Sequence, residues 1–241
     1  MSECALAVTV DVDGEAGLAG GGSLSARSER LYGVGRGLER VLAELQVPAT
    51  FYVPGVTAER HPDAIGSIVA HGHEIGHHGH THRSPHVLSA DDQRREIENG
   101  LAALAALGIE PRGYRAPAWE LTEVTLALLV EHRFAYDSSL MDDDRPYELR
   151  GLLELPVHWT LDDAPYFAAD LGSESLLRVW TREIDVAADE RRAITLTLHP
   201  EILGRPYRVH LLRRVLEHAA VRGIPALRHA ELATRYRRPD P

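Results

Sequence analysis

Cysteine is nearly missing from this sequence: Cys4 is the only one among 241 residues. No disulfide can form within the chain, and no thiolate cluster can hold zinc. Positive charge is in short supply as well. A formal net charge of -10 argues against a nucleic-acid partner, which demands a basic face, and against docking on anionic lipid. Long apolar runs are absent, none approaching the roughly 20 residues that span a bilayer. The opening "MSECALAVTVDVDGE" lacks the basic n-region of a secretory signal. Together these absences predict a cytoplasmic protein with no membrane partner. Aromatic residues are few, at 6%, yet 44% hydrophobic and 26% charged residues are ordinary for a globular chain. No internal repeat, low-complexity tract or linker-like change of composition divides the chain, so one unit is expected over residues 1–241.

What is present is alternation. The runs "ALAVTV" (5–10), "ATFYV" (49–53), "HEIGH" (73–77), "RGYRA" (112–116), "FAYDSS" (134–139), "LLELPV" (152–157) and "AITLTL" (193–198) read as strands. Between them lie helical stretches. "GLERVLAELQ" (37–46) puts Leu38, Val41, Leu42 and Leu45 on one face, and "PDAIGSIVAHG" (62–72) ends at Gly72. Ser89 followed by Asp92 caps a helix over 90–108, and further helices are expected at 122–133, 173–190 and 210–223. "IPALRH" (224–229) reads as one more strand. Roughly seven strand–helix units predict an α/β fold with a parallel sheet closed as a barrel. "GLAGGGS" (17–23) has no strand–GxxxxGK[ST]–helix setting, so it reads as a loop beside the site and not as a phosphate cradle.

Histidine is concentrated. Eight of 14 (61, 71, 73, 77, 78, 80, 82 and 86) fall within residues 61–86, where an even spread would place one or two. Not all can be ligands. His71 and His73 flank Gly72 at a helix end, where imidazole suits the last carbonyls. His61 and His86 sit beside prolines in loops. His78 and His82, four apart, would share one face of a helical turn, a spacing that zinc ligands use and that many helices carry by chance. A catalytic zinc also needs a third protein ligand and an open position.

The first strand offers one. Asp11 and Asp13 end it two residues apart, so both carboxylates face the same way. They read equally as a strand-terminating Asp-Gly turn. "GYRAPAWE" (113–120) and "LTLHPEILGRP" (196–206) end in the same manner, a strand-like run meeting a polar residue beside proline. In a parallel barrel such positions converge at the carboxyl ends of the strands. Arg115 can then hold a carboxylate by a forked pair of hydrogen bonds, and His199 can protonate a leaving group.

These segments, in this order, resemble the polysaccharide deacetylase family, carbohydrate esterase family four. The best matches are "GHEIGHHGHTH", "GYRAPAWE", "YDSSLMDDDRPY", "ELPVHWTLDDAPYF" and "LTLHPEILGRP". The resemblance covers nearly the whole chain and implies a distorted, TIM-like (β/α) barrel of about seven parallel strands. It implies a divalent metal on Asp13, His78 and His82, with Asp11 as catalytic base, Arg115 as its orienting partner and His199 as general acid. Trp119, Trp159 and Asp162 lie where the family builds its substrate pocket. Zinc suits two imidazoles and a carboxylate best, with nickel, cobalt and manganese as alternatives. The expected reaction is removal of N-acetyl groups from an amino-sugar substrate. One departure stands out: Val12 separates Asp11 from Asp13, where the commonest opening has adjacent aspartates. The separated form resembles the branch with peptidoglycan deacetylase-like proteins, cyclic-imide hydrolases and allantoinase-like enzymes, so a small cyclic amide is the alternative substrate. A non-catalytic histidine-rich metal-binding protein would explain residues 71–82 but leave Asp11, Arg115 and His199 without a role. A degenerate barrel serving as a binding module would keep the pocket and lose turnover. The sequence leaves a homo-oligomer open.

Overall fold

The computed structural model describes residues 4–18, 22–169 and 172–236. The glycine loop expected at 17–23 therefore lies partly outside the described residues. Eight strands form one sheet: β1 (Ala5–Asp11), β2 (Thr50–Val53), β3 (Glu74–His77), β4 (Gly113–Tyr114), β5 (Tyr136–Asp137), β6 (Tyr147–Leu149), β7 (Leu152–Glu154) and β8 (Ala193–Leu198). Their order is β6-β7-β5-β4-β3-β2-β1-β8. Seven strands run parallel and β6 pairs antiparallel to β7. The sheet curls into a distorted barrel that is not laced shut among the described residues. Beyond β8, a single bridge from Asp162 to Thr197 stands where an eighth parallel strand would close it.

Eleven α-helices lie among the described residues: α1 (Leu24–Tyr32), α2 (Leu38–Glu44), α3 (Gly55–Arg60), α4 (Pro62–Ala70), α5 (Ala90–Ala105), α6 (Glu123–Glu131), α7 (Asp163–Ala168), α8 (Ser173–Glu190), α9 (Pro200–Leu203), α10 (Val209–Val221) and α11 (His229–Tyr236). Ser89 caps α5, its side chain accepting from the Asp92 amide, as its sequence predicts. "IPALRH" is the misread segment. It supplies only a bridge from Ala226 to Leu6 before α11 begins at His229. A proline and the nearby helix start leave it too short to form a ladder.

The two-residue period of the strands sorts the sheet into two faces. On β1, Leu6, Val8 and Val10 join the large apolar cluster under the helices, while Ala5 and Ala7 join the smaller cluster with Tyr52 and Tyr136. Ile194, Leu196 and Leu198 on β8 repeat the first pattern. The inner face is built from small residues because two tyrosine rings fill it. A Cβ on Gly113 would lie 1.9 Å from Tyr136 Cζ, and one on Gly76 would lie 2.5 Å from the Tyr52 ring. Below the rings, Tyr136 donates to Glu74, and Tyr52 shares a 2.7 Å hydrogen bond with His229. The barrel floor is thus closed by α11, leaving the carboxyl ends of the strands for chemistry.

Candidate active site

Continuing the inner face of each strand past its end brings the predicted residues together. Asp11 ends β1 and Asp13 lies two beyond it; His78 follows β3, Arg115 follows β4 and His199 follows β8. Asp11, Asp13, His78 and Arg115 are all buried. Asp11 receives Arg115 Nη1 at 2.8 Å. The expected fork does not form: the other nitrogens of Arg115 donate to the carbonyl and hydroxyl of Ser138, and Nη1 also reaches Thr9. The guanidinium lies 4.3 Å over the Tyr52 ring. Its fork is spent on holding itself in the barrel, so a single nitrogen orients Asp11.

Asp13 faces two imidazoles. His82 Nε2 lies 3.2 Å and His78 Nε2 lies 3.6 Å from its Oδ1. His78 shares its Nδ1 with the Arg115 carbonyl at 2.8 Å. That bond fixes the tautomer with the proton on Nδ1, so the Nε2 lone pair is turned toward Asp13. Burial lowers the His78 pKa to about 4, keeping the ring neutral as a metal ligand requires. Burial works against the charge on Asp13, but His82 outweighs it and holds the carboxyl well below the usual carboxylate range.

His78 and His82 do not share a helical turn. His78 leaves β3 directly, and His82 sits in a loop with φ +58°, a left-handed conformation costly for a side chain of this size. Glu96 of α5 stabilises that loop. Its carboxylate accepts from the amides of His80 and Thr81 at 2.8 and 2.7 Å and from the Thr81 hydroxyl at 2.5 Å. His77 points the other way, to the Ile97 carbonyl, and His71 shares Nδ1 with the Ser67 carbonyl of its own helix end.

His199 lies opposite. Asp163 accepts from its backbone amide at 3.0 Å and contacts its Nδ1 at 2.7 Å, with Asp162 at 3.6 Å. Burial disfavours the imidazolium, yet Asp163, then Asp162 and Asp13, outweigh it and raise the His199 pKa well above its ordinary value. Burial pushes Asp162 up to about 7, and Asp162 also caps α7 through the Ala164 amide. Trp119 and Trp159 pair at the rim, ring centroids 4.4 Å apart, with Trp159 half exposed. Ala118 and Trp119 both have positive φ, a strained turn that delivers the buried indole. Trp180 of α8 holds the turn bearing Trp159 by donating to the Thr160 carbonyl.

Among the described residues, two groups of side chains could hold a cation: Asp13, His78 and His82, and Asp162, Asp163 and His199. Of these six residues, only Asp13 has a buried side-chain atom left without a hydrogen bond. Asp13 Oδ1 is buried with no hydrogen bond, whereas Asp163 is engaged by His199 and Asp162 by its helix. An anionic oxygen left bare between two imidazole nitrogens fits a divalent cation.

A Mycobacterium smegmatis chain assigned to the polysaccharide deacetylases matches all of this chain and 96% of its own length, with a TM-score of 0.88 and 36% identity. This chain belongs to the polysaccharide deacetylase family. The family model for polysaccharide deacetylase matches residues 35–136. A Helicobacter pylori peptidoglycan deacetylase is 28% identical over 90% of each chain. An allantoinase, 22% identical with a TM-score of 0.89 over 98% of this chain and 90% of its own, shares the fold. As a family member the chain is a hydrolase of carbon–nitrogen bonds other than peptide bonds. No helix among the described residues is long and apolar enough to cross a membrane.

Sequence reading missed three groups at this deacetylase-family site. Asp163 is the second aspartate of "LDDAP", next to the Asp162 that the family resemblance picks out; its first-turn position beside a cap is the available signal. Glu96 and Arg30, which reaches Asp13 from α1 at 2.9 Å, lie in polar helices whose composition gives no hint of a destination.

Proposed function

We propose that this chain is a metal-dependent deacetylase that removes N-acetyl groups from an amino-sugar substrate. Asp13, His78 and His82 hold one divalent cation, zinc first by donor set, with nickel, cobalt or manganese able to take the same ligands. The observation that carries the reading is the bare, buried Oδ1 of Asp13 facing two imidazole nitrogens. When bound, the cation supplies Lewis-acid polarisation of the scissile carbonyl and a lowered pKa for water. Asp11, aimed by Arg115, accepts the proton of the water that adds to the carbonyl carbon. His199, charged and turned by Asp163, gives its Nε2 proton to the nitrogen as the C–N bond breaks, so the amine leaves neutral. Trp119 and Trp159 offer an aromatic wall against which a sugar ring can lie, and Asp162 is the third substrate-binding residue. Each proton transfer is worth about 10²- to 10⁴-fold.

A small cyclic amide is the second reading, favoured by Val12 between Asp11 and Asp13. The same residues would act, with the leaving nitrogen still tethered to the acyl product. A panel of N-acetylglucosamine oligomers, hydantoin, succinimide and allantoin, assayed with defined metals, separates the two. Asp11→Asn is expected to keep its zinc and lose turnover by about 10²-fold or more. Asp13→Asn and His82→Ala are expected to lose the zinc, while His71→Ala keeps it. Equal zinc content in all four variants sinks the assignment of ligands.

A further inference from the structure

Helix α1 contains no buried residue, so apolar packing of its own side chains does not explain why it lies against the reaction centre. Two of its arginines reach inward. Arg27 pairs with Glu15 at 2.9 Å, and Arg30 Nη1 donates to Asp13 Oδ2 at 2.9 Å while also binding Glu201. Asp13 and Glu201 are both buried, and Glu201 stands two residues after His199 at the start of α9.

We propose that Arg30 and Glu201 are positioning residues that confine Asp13 to a single metal-ligating oxygen and set how tightly the centre holds its cation. The inference rests on the metal site proposed above. Arg30 occupies Oδ2, so Oδ1, the oxygen that faces His78 and His82, is the one left to offer. A carboxylate with both oxygens free can chelate a cation and fill the coordination position that a catalytic centre must keep open. The guanidinium prevents this at a cost, because its positive charge stands on the far side of the same carboxylate and repels a cation. Glu201 offsets that charge. An arginine that only fastened α1 would carry no such sign: its loss would loosen the site.

The signs give the test. Zinc affinity is measured by chelator competition on the full chain for wild type, Arg30→Met, Glu201→Gln, the double variant and Asp13→Asn. Arg30→Met is expected to tighten zinc by about tenfold, since it removes the repelling charge and frees the second oxygen. Glu201→Gln, nearly isosteric and so the safer variant for folding, is expected to weaken zinc by about tenfold. The double variant, unchanged in net charge, should return to within about threefold of wild type. With cobalt in place of zinc, the visible bands of Arg30→Met should weaken as the coordination number rises. Affinities moving the same way in the two single variants, or not moving, overturn the proposal, as do unchanged cobalt bands. If Asp13→Asn holds zinc as tightly as wild type, the metal-site reading itself has failed. If Asp13→Asn loses zinc and Arg30→Met fails to tighten it, only the role of the arginine falls.

Discussion

At the scale of single residues, His199, the proposed general acid, has the best-defined surroundings. Asp163 touches His199 twice, at the backbone amide and at Nδ1, so it sets the ring's orientation and its charge together. Asp163, followed by Asp162 and Asp13, raises the folded-state pKa of His199 well above its ordinary value, so its surroundings favour the protonated ring that a general acid requires. Asp163→Asn keeps the size and one acceptor but removes the charge. The alkaline limb of kcat/KM is then expected to move toward lower pH, and activity at pH 8 to fall by about 10²-fold. Asp162→Asn, whose carboxylate stands 3.6 Å away, should move that limb less. An unmoved alkaline limb in Asp163→Asn would place the general acid elsewhere. His199 itself was legible in the sequence as a polar residue ending a buried strand. Its partner was not, because nothing local tells which of two adjacent aspartates turns inward.

Among elements, β5 and β7 carry a group the chemistry does not use. Asp137 and Glu154 are register partners on the outer face of the sheet, both buried. Glu154 Oε1 accepts from the amides of Ser139 and Leu140, and Asp137 accepts from the Ser139 hydroxyl, so the pair anchors the loop after β5. Burial pushes Asp137 up to about 6 and, with Asp137 beside it, holds Glu154 well above the usual carboxylate range. Raised acids bind their protons more tightly folded than unfolded. The stabilising contribution of Asp137 is therefore present below the unfolded value near 4 and is lost as pH rises through about 6. That of Glu154, shifted in the same direction, is likewise lost as pH rises. Glu154→Gln keeps the Oε1 acceptor and never charges. It is expected to raise the melting temperature by a few degrees at pH 8, with little change at pH 4.5. A melting temperature lowered equally at both values would mean that the carboxylate itself is needed. Strands such as β1 and β8 could be read from the chain because short, nearly unbroken apolar runs, "ALAVTV" and "AITLTL", mark them. The antiparallel β6 and the loop geometry of 78–82 could not, since each depends on partners distant in sequence, β7 for one and Glu96 for the other.

For the whole molecule, the decisive feature is that one face of each strand is continued past its end. Asp11, Asp13 and His199 were separable from turn residues only because alternation puts them on the inner face with Ala5, Ala7 and the tyrosine layer. The convergence was therefore legible, while the open edge beside β8 and the ion-paired approach of α1 were not, being set by surfaces that the local pattern does not encode. Convergence has a thermodynamic consequence. The proposed ligands come from the β1 end and the loop after β3, so a cation there ties chain segments that fold together only in the native state. A ligand that binds the folded state alone adds about 2.7 kcal/mol at 100 times its dissociation constant. For a chain of this length that corresponds to roughly 5–11 °C in melting temperature. Wild type is expected to show a zinc-dependent rise of that order, reversed by a chelator. Asp11→Asn should keep most of the rise, because its carboxylate is spent on Arg115, while Asp13→Asn should abolish it. A rise of equal size in Asp13→Asn and wild type would mean that zinc stabilises the fold from another site, and the converging strand ends would then owe their burial to the ion pairs alone.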